Sequence, residues 1–523
     1  MAGFVASAEA FLSRPSAKEN CMMLARWRWH PLTTLGLSGL AALAIVALYR
    51  PKRFVPLIGI DEAAAHNLLF ALALLVLFAL LAWLRPEIGL AGVAATIPFN
   101  YRSRGFWDGN YPFIDGKYFP LHELLLLVVL GVTALDVGWR LIQRQIAWQM
   151  WWREHWRMLL LPLAWLLVAT FAANLAVPEG QAEAWREWRW MIIEPLLLYG
   201  LILYWQPRYP VRRWLLWGLL AGSVIVAIIG ILQWRDLDWT PIDGTGMCFS
   251  DLIVDSGGTK RTSSVYCHPN NLALWMDRAS MLAVVAAAWA CWQWWRKRTW
   301  QTAIWSLLYL GASSLLLLSL MLTYSKGARF AVALVLIGLS CLPRRWWLPL
   351  ITSAVLGGLL LYSSLSGPER LNVTGDSSSA RLSIWRSATA MIIDHPIVGI
   401  GLDQFYFYFN PQFNRGYIEP RLAADPAERN TAHPHNLLLD LWLRVGIAGV
   451  LIFAALAWRS LRRTWQIWHS EQPERWLALA ALAALMAGWL HGGVDQGYFS
   501  SDLAMVTWLT LGMIDSFTLK GQN

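Results

Sequence analysis

The chain has 523 residues, 57% of them hydrophobic and 15% charged, with 35 tryptophans and a mean hydropathy of +0.42, which excludes an ordinary soluble domain. A net charge of +10 would suit a nucleic-acid binder, but Lys and Arg cluster in short loops between apolar segments, so the excess reads as membrane topology and nucleic acid is excluded as a partner. Five cysteines (Cys21, Cys248, Cys267, Cys291, Cys341) without CxxC spacing argue against structural zinc, while Cys248 and Cys267 share one loop where an oxidising compartment would permit a disulfide.

In chain order, residues 1–32 are polar and basic, lack the pattern of a cleavable signal peptide, and are expected to be a cytoplasmic N-terminal segment. Apolar windows long enough to cross a hydrocarbon core predict spans near 33–49, 67–84, 87–99, 119–137, 158–176, 190–205, 213–233, 271–292, 303–323, 328–342 and 347–364, the third being short and re-entrant or interfacial. Three more follow near 436–458, 475–491 and 501–517. The expected fold class is thus an all-α polytopic membrane protein with about 12–14 transmembrane helices. It divides into a helical region 33–365 with an extracytoplasmic loop 234–270, one large extracytoplasmic loop 366–435 bearing amphipathic helices, and C-terminal membrane helices over 436–523. Tryptophans such as Trp139, Trp152, Trp292, Trp294 and Trp295 flank spans as an interfacial belt would.

With the N-terminus inside, the basic loops around Arg140, Arg208, Arg296, Arg344 and Arg459 all fall on the cytoplasmic side, and Arg50, Lys52 and Arg53 are the exception. The opposite face then receives four polar segments: 234–270, 323–329, 366–435 and 491–495. Within the long loop, Asp376 and Ser377 to Ser379 can cap a helix on which Trp385, Ala388 and Ile392 share a face, and Pro396, Gly399 and Gly401 end it. Arg381 is expected at the positive N-terminal end of that helix, where an anion is welcome.

His435-Asn436 stands at the mouth of a span, nine residues before Gly446-Ile-Ala-Gly449, whose glycines allow close helix packing. Imidazole is the side chain suited to take a proton from a hydroxyl near neutral pH; the alternative is a solvated loop histidine. Thr323-Tyr-Ser325-Lys326-Gly327-Ala-Arg329 sets Lys326 and Arg329 three residues apart at an outer boundary, where cations either snorkel to headgroups or neutralise a diphosphate. Arg381 supplies a third cation and Arg261, ahead of His268-Pro269-Asn270, a fourth. His433, His435, His268, His491 and Asp495 match no zinc spacing and the long loop has no acidic pair for a nucleotide-bound metal, so a metal-independent reaction with no cofactor is expected. Glu123, Glu194, Asp277, Asp440 and Arg444 fall inside spans, where charge is expensive, and are candidates to line the same cavity.

On these residues the chain resembles the O-antigen ligase and O-antigen polymerase superfamily of bacterial envelope glycan assembly. The motifs that carry the resemblance are His435-Asn436-x9-Gly446-x-x-Gly449, Arg381 with Trp385 and His395-Pro396-x-x-Gly399-x-Gly401, and Thr323-x-Ser325-Lys326-Gly327, with Arg261 and His268-Pro-Asn270 in support. The resemblance implies a fold related to the C-type glycosyltransferases, an undecaprenyl-pyrophosphate-linked glycan donor, a lipid or glycan acceptor, and a location in the bacterial inner membrane with the site on its outer face. It implies that His435 activates the acceptor hydroxyl and that Arg381 holds pyrophosphate. Lys326 departs from the arginine usual at that position, so either its charge suffices or Arg329 takes the part. The expected protein is a metal-independent, inverting glycosyltransferase with His435 and Arg381 catalytic and Lys326, Arg329, Arg381 and Arg261 on the pyrophosphate. Asn436, His433, His268, Asn270, Trp385 and Asp495 are expected to support them. A polymerase of the same superfamily is the alternative; a lipid-linked oligosaccharide flippase fits less well, because the charges gather at one face and no repeat is visible.

Overall fold

The computed structural model describes residues 31–49, 68–102, 120–145, 148–175, 179–235, 253–254, 260–266, 268–342, 351–353, 376–425 and 428–518. The basic N-terminal segment, the Arg50 to Arg53 cluster, Cys248 and Cys267, and most of the span expected at 347–364 lie outside the described residues.

The described residues are mostly helical, as the apolar windows require. In order come α1 (Pro31–Tyr49), α2 (Leu68–Leu84), α3 (Pro86–Thr96), α4 (Leu121–Ile142) and α5 (Trp148–Leu175). Next are α6 (Gln181–Trp188), which continues through a π turn at Arg189–Ile193 into α7 (Glu194–Trp205), and α8 (Val211–Trp234). A two-residue antiparallel pairing of β1 (Ile253–Val254) with β2 (Lys260–Arg261) leads to α9 (Pro269–Lys297), α10 (Trp300–Leu322) and α11 (Lys326–Ser340). The polar loop contributes α12 (Asp376–Asp394), α13 (Phe405–Phe409) and α14 (Pro420–Ala423). The chain then re-enters the bundle as α15 (Leu437–Trp468), α16 (Arg475–His491) and α17 (Ser501–Asp515).

Among the described residues six helices (α4, α5, α8, α9, α10 and α15) are long and apolar enough to cross a membrane, and shorter apolar helices lie at Thr33–Ile45, Leu72–Leu84, Pro86–Phe99 and Arg475–His491. This is an all-α polytopic membrane protein. Large apolar side chains such as Leu135, Leu167, Phe171 and Leu307 remain exposed on the outside of the bundle, where lipid covers them. Inside, α9 packs between α10 and α16, α17 lies against α7, and rings such as Trp165 and Tyr498 meet edge-on at 5.8 Å.

The short third span is the buried arm of a hairpin. α3 turns back along α2 at Arg85, with Gly89 facing Ala82 and Gly92 facing Phe78, and nearly all its residues are buried. The span expected at 190–205 begins earlier, at Gln181, because the polar first turns of α6 lie against neighbouring protein. The polar loop is built as expected, from short helices around a small core of its own: Ala380, Ile384, Ala388 and Met391 of α12 with Phe405, Phe409 and Leu443. Because α12 starts at Asp376, Arg381 sits more than a turn inside the helix, not at its N-terminal end.

The direction of each helix decides where chemistry collects. α8, α10 and α16 run towards one end of the bundle, and α9, α11 and α15 start there, so β2, the Thr323–Ser325 turn, the polar loop and the turn after His491 meet at that end.

Candidate active site

Two helix N-termini frame a cavity of about 160 Å³ at this end. Lys326 and Gly327 open α11 behind the cap of Ser325, whose hydroxyl accepts from the Ala328 N–H, and Asn270 lies in the first turn of α9. Both helices present their positive dipole ends at this cavity, an arrangement that attracts anions. Arg261 and Arg381 join Lys326 in the wall, with Tyr324, His491, Val494 and Asp495. The Arg261 guanidinium is steered by two bonds, Nε to the Thr323 carbonyl at 2.9 Å and Nη2 to the Asn270 side-chain oxygen at 2.9 Å. Tyr324, between the two motif residues Thr323 and Ser325, has φ +54°, a left-handed backbone that costs a non-glycine residue about 1–2 kcal/mol.

Asp495 joins this cavity to the histidines. Its Oδ1 lies 3.2 Å from Nδ1 of His435 and its Oδ2 lies 3.9 Å from Nη2 of Arg381. Burial alone would raise the Asp495 carboxyl, but the His435 hydrogen bond and charge, with His491 and His433 nearby, hold it well below the usual carboxylate range. His435 itself stands behind the wall, reaching the cavity through Asp495. It too has a left-handed backbone, φ +50°, directly before Asn436. Asn436 caps α15, accepting from the Leu438 and Leu439 N–H groups at 3.0 and 3.2 Å, and donates to the Gly493 carbonyl at 2.9 Å. One side chain therefore fixes both the start of α15 and the turn that carries Asp495. His433 lies edge-on to His435 with ring centroids 4.2 Å apart, and its Nδ1 accepts the His435 backbone N–H at 3.3 Å. Burial, then the neighbouring His435, pushes the His433 imidazole well down, so it is neutral near pH 7.

The first glycine of the motif does something other than the close helix packing read from the sequence. At Gly446 α15 is broken, with φ +70°, and a Cβ there would stand 2.1 Å from the Ile397 carbonyl oxygen. Gly399, φ +71°, makes the reciprocal approach, its missing Cβ falling 2.2 Å from the Leu443 oxygen. Through this gap the loop after α12 bonds to the opened helix: the Ile400 N–H donates to the Leu443 carbonyl at 2.7 Å and the Ile447 N–H to the Ile397 carbonyl at 3.2 Å. The helix carrying Arg381 is thus stitched by backbone bonds to the helix that follows His435. Gly449 does provide packing room, beside Trp165 of α5.

The remaining expected residues fall as follows. Arg329 does not line the cavity; its Nη2 donates to the Met321 carbonyl at 2.8 Å and its guanidinium lies 5.1 Å from the Tyr324 ring centre. Trp385, one turn beyond Arg381, is half-buried with a buried, unpartnered indole N–H. His268 caps α9, its Nδ1 accepting from the Asn270 N–H at 3.2 Å, and burial with the adjacent Arg261 lowers its pKa. Most of the charges expected to line the cavity pair with one another elsewhere. Arg189 bridges Glu123 and Glu194, while Arg444 bonds Asp440 at 2.7 Å and pairs with Glu187. Arg444 also reaches the Ala432 carbonyl at 3.5 Å, beside the histidine segment.

His491 and Asp277 were undervalued by the sequence reading. The Asp277 carboxylate holds His491 Nδ1 at 2.7 Å, and His491 Nε2 lies 3.4 Å from the Ser325 hydroxyl in the cavity wall. Gly327 leaves space for that ring, since a Cβ there would come within 2.8 Å of it. The available signal was an aspartate inside an apolar span and a histidine ending another. His433, His435 and Asp495 each offer one ligand atom within 4.8 Å of the others, the set among the described residues that could hold a metal ion. Hydrogen bonds already engage Nδ1 of both imidazoles, so this geometry is that of a hydrogen-bonded cluster.

Residues 311–454 match the family model described as O-antigen ligase. That segment contains the Ser325-Lys326-Gly327, Arg381 and His435-Asn436 motifs, and the resemblance read from them stands. Proteins of Rickettsia typhi and Rickettsia prowazekii, named as candidate polysaccharide ligases, are each 28% identical over 156 residues, covering 28% of this chain and 37% of theirs. The chain thus carries a segment similar to the O-antigen ligase family, and it spans little more than a third of the length of the curated relatives it matches.

Proposed function

We propose that the chain is an O-antigen ligase-like membrane glycosyltransferase that moves a glycan from undecaprenyl pyrophosphate to an acceptor hydroxyl at the outer face of the inner membrane. The observation that carries the reading is the meeting of Arg381 and His435 on one carboxylate, Asp495, in the wall of a cavity shared with Arg261 and Lys326. With Nδ1 of His435 engaged by Asp495, Nε2 is the ring atom left to take a proton. The acceptor O–H gives its proton to Nε2 as its oxygen bonds to the anomeric carbon. The bond from that carbon to the pyrophosphate oxygen breaks, and its electron pair leaves with the pyrophosphate. Arg261, Lys326 and Arg381, with the helix ends of α9 and α11, meet the charge that develops there. Attack opposite the leaving group in a single displacement inverts the anomeric carbon. No step in this sequence calls for a metal.

The cavity, about 160 Å³, is smaller than the roughly 300–1,000 Å³ of ordinary ligand pockets, which suits a site that grips the charged centre while lipid and glycan extend beyond it. Arg329 is turned from the cavity, so Lys326 carries the charge at the motif position. The names of the matched relatives favour ligation over polymerisation, although the same residues would serve both. The test is transfer by the purified protein in nanodiscs from a lipid-linked glycan of defined length. A ligase yields one product of unchanged glycan length and inverted configuration; a ladder of lengths means a polymerase, and no covalent product in the presence of donor and acceptor rejects both.

A further inference from the structure

Far from the candidate active site, α5, α7, α15 and α17 enclose a second and larger cavity, about 490 Å³. Along α15, Arg459 lies 22 residues beyond Leu437, roughly 33 Å at 1.5 Å per residue, so the two cavities occupy opposite ends of the bundle. Four arginines, Arg157, Arg459, Arg462 and Arg463, line it with one carboxylate, Asp515.

The four are held differently. Arg459 pairs with Asp515 and donates to the Met158 carbonyl at 2.8 Å, yet its Nε is buried without a hydrogen-bond partner. Arg463 donates to the carbonyls of Asp515, at 3.0 Å, and Phe517. Arg157 and Arg462 are exposed, and among the described residues neither has a carboxylate at ion-pair distance; Arg157 lies 5.4 Å from the Trp156 ring centre. The charge here exceeds what Asp515 balances. A topological excess of arginine would need neither a cavity nor a buried, unpartnered guanidinium N–H.

We propose that this cavity binds the phosphate headgroup of an anionic phospholipid. Positive charge supplies the phosphate recognition, bidentate from guanidinium. The surroundings supply the lipid: Met158, Leu203 and Phe517 share the lining, and exposed apolar side chains flank it, Leu160 on α5 and Trp458, Leu461 and Trp465 on α15. A headgroup on the arginines would lay its acyl chains along those strips. Basic pockets between membrane helices, on the side that carries the basic loops, are suited to such headgroups.

The test uses the full chain purified in detergent, with thermal midpoint and native mass spectrometry as readouts. The probes are cardiolipin, phosphatidylglycerol, phosphatidylcholine and inorganic phosphate. Cardiolipin and phosphatidylglycerol are expected to raise the midpoint and remain bound, whereas phosphatidylcholine and inorganic phosphate do neither. The Arg157→Gln/Arg462→Gln double variant, which removes no ion pair among the described residues, is expected to unfold at the wild-type midpoint without lipid and to bind anionic lipid about 10-fold more weakly. Arg462→Gln alone should give a smaller loss and serves if the double variant is poorly made. Wild-type binding by both variants, an equal midpoint rise with phosphatidylcholine, or an equal rise with inorganic phosphate would overturn the assignment.

Discussion

At the end of the bundle away from the candidate active site, Arg140 and Arg208 both donate to Asp136, at 2.9 and 2.8 Å, and Arg212 and Arg213 both reach Glu474, at 3.1 and 2.5 Å. At the other end Arg381 stands 3.9 Å from a carboxylate that also holds His435, and Arg261 donates to the neutral oxygens of Thr323 and Asn270. The same residue type thus serves two purposes. The pairs on Asp136 and Glu474 tie loops and helix termini together, while Arg261 and Arg381 are aimed by their partners into the wall of a cavity.

The comparison is sharpest in activity. Arg381→Ala is expected to lower glycan transfer by about 10²–10³-fold, the usual cost of removing a charge-stabilising donor. Arg213→Gln, a half-exposed arginine from the far end, should leave transfer within about 2-fold and stability within about 1 kcal/mol. Equal losses from the two would erase the distinction. Gly446→Ala comes next. It forces φ +70° on a residue with a Cβ and drives that Cβ into the Ile397 carbonyl, so a loss of about 2–4 kcal/mol is expected as a lower thermal midpoint.

Much of this arrangement was legible in the sequence because cations at an outer membrane boundary are out of place unless something uses them. That reasoning singled out Lys326, Arg381 and Arg261, which the structure gathers on one cavity. Arg329 stands apart from that cavity, because spacing along a helix does not say where a long side chain will fold, and this one turns back over Tyr324. The broken helix at Gly446 was invisible for another reason. The apolar pattern over 436–458 reads as one unbroken span, and only the loop packed against it reveals the break. Likewise nothing local marks the left-handed backbone of His435, and the charges at Asp277 and His491, 214 residues apart, do not by themselves say that they pair.

A smaller effect concerns how the histidine is held. Asn436→Ala removes the α15 cap and the latch to Gly493, and should cost about 1 kcal/mol in stability together with a several-fold loss of transfer. If activity stays whole while stability falls, the cap serves the helix alone. The smallest effect is in pH dependence. Because the Asp495 carboxyl is depressed in the folded protein, its stabilising contribution is complete above the unfolded value of about 3.9 and fades only as pH falls below it. The difference in thermal midpoint between wild type and Asp495→Asn should therefore persist from about pH 8 to about pH 5 and shrink on further acidification. A difference that already shrinks between about pH 7 and pH 5 would place the carboxyl's pKa higher than its surroundings imply.

The most direct test of the account is the single-turnover rate of glycan transfer by His435→Ala, with donor binding measured on the same sample. The account predicts a rate lower by about 10²–10⁴-fold with donor binding nearly intact, since the imidazole takes the acceptor's proton and the cations hold the carrier. Transfer at the wild-type rate by that variant would contradict it.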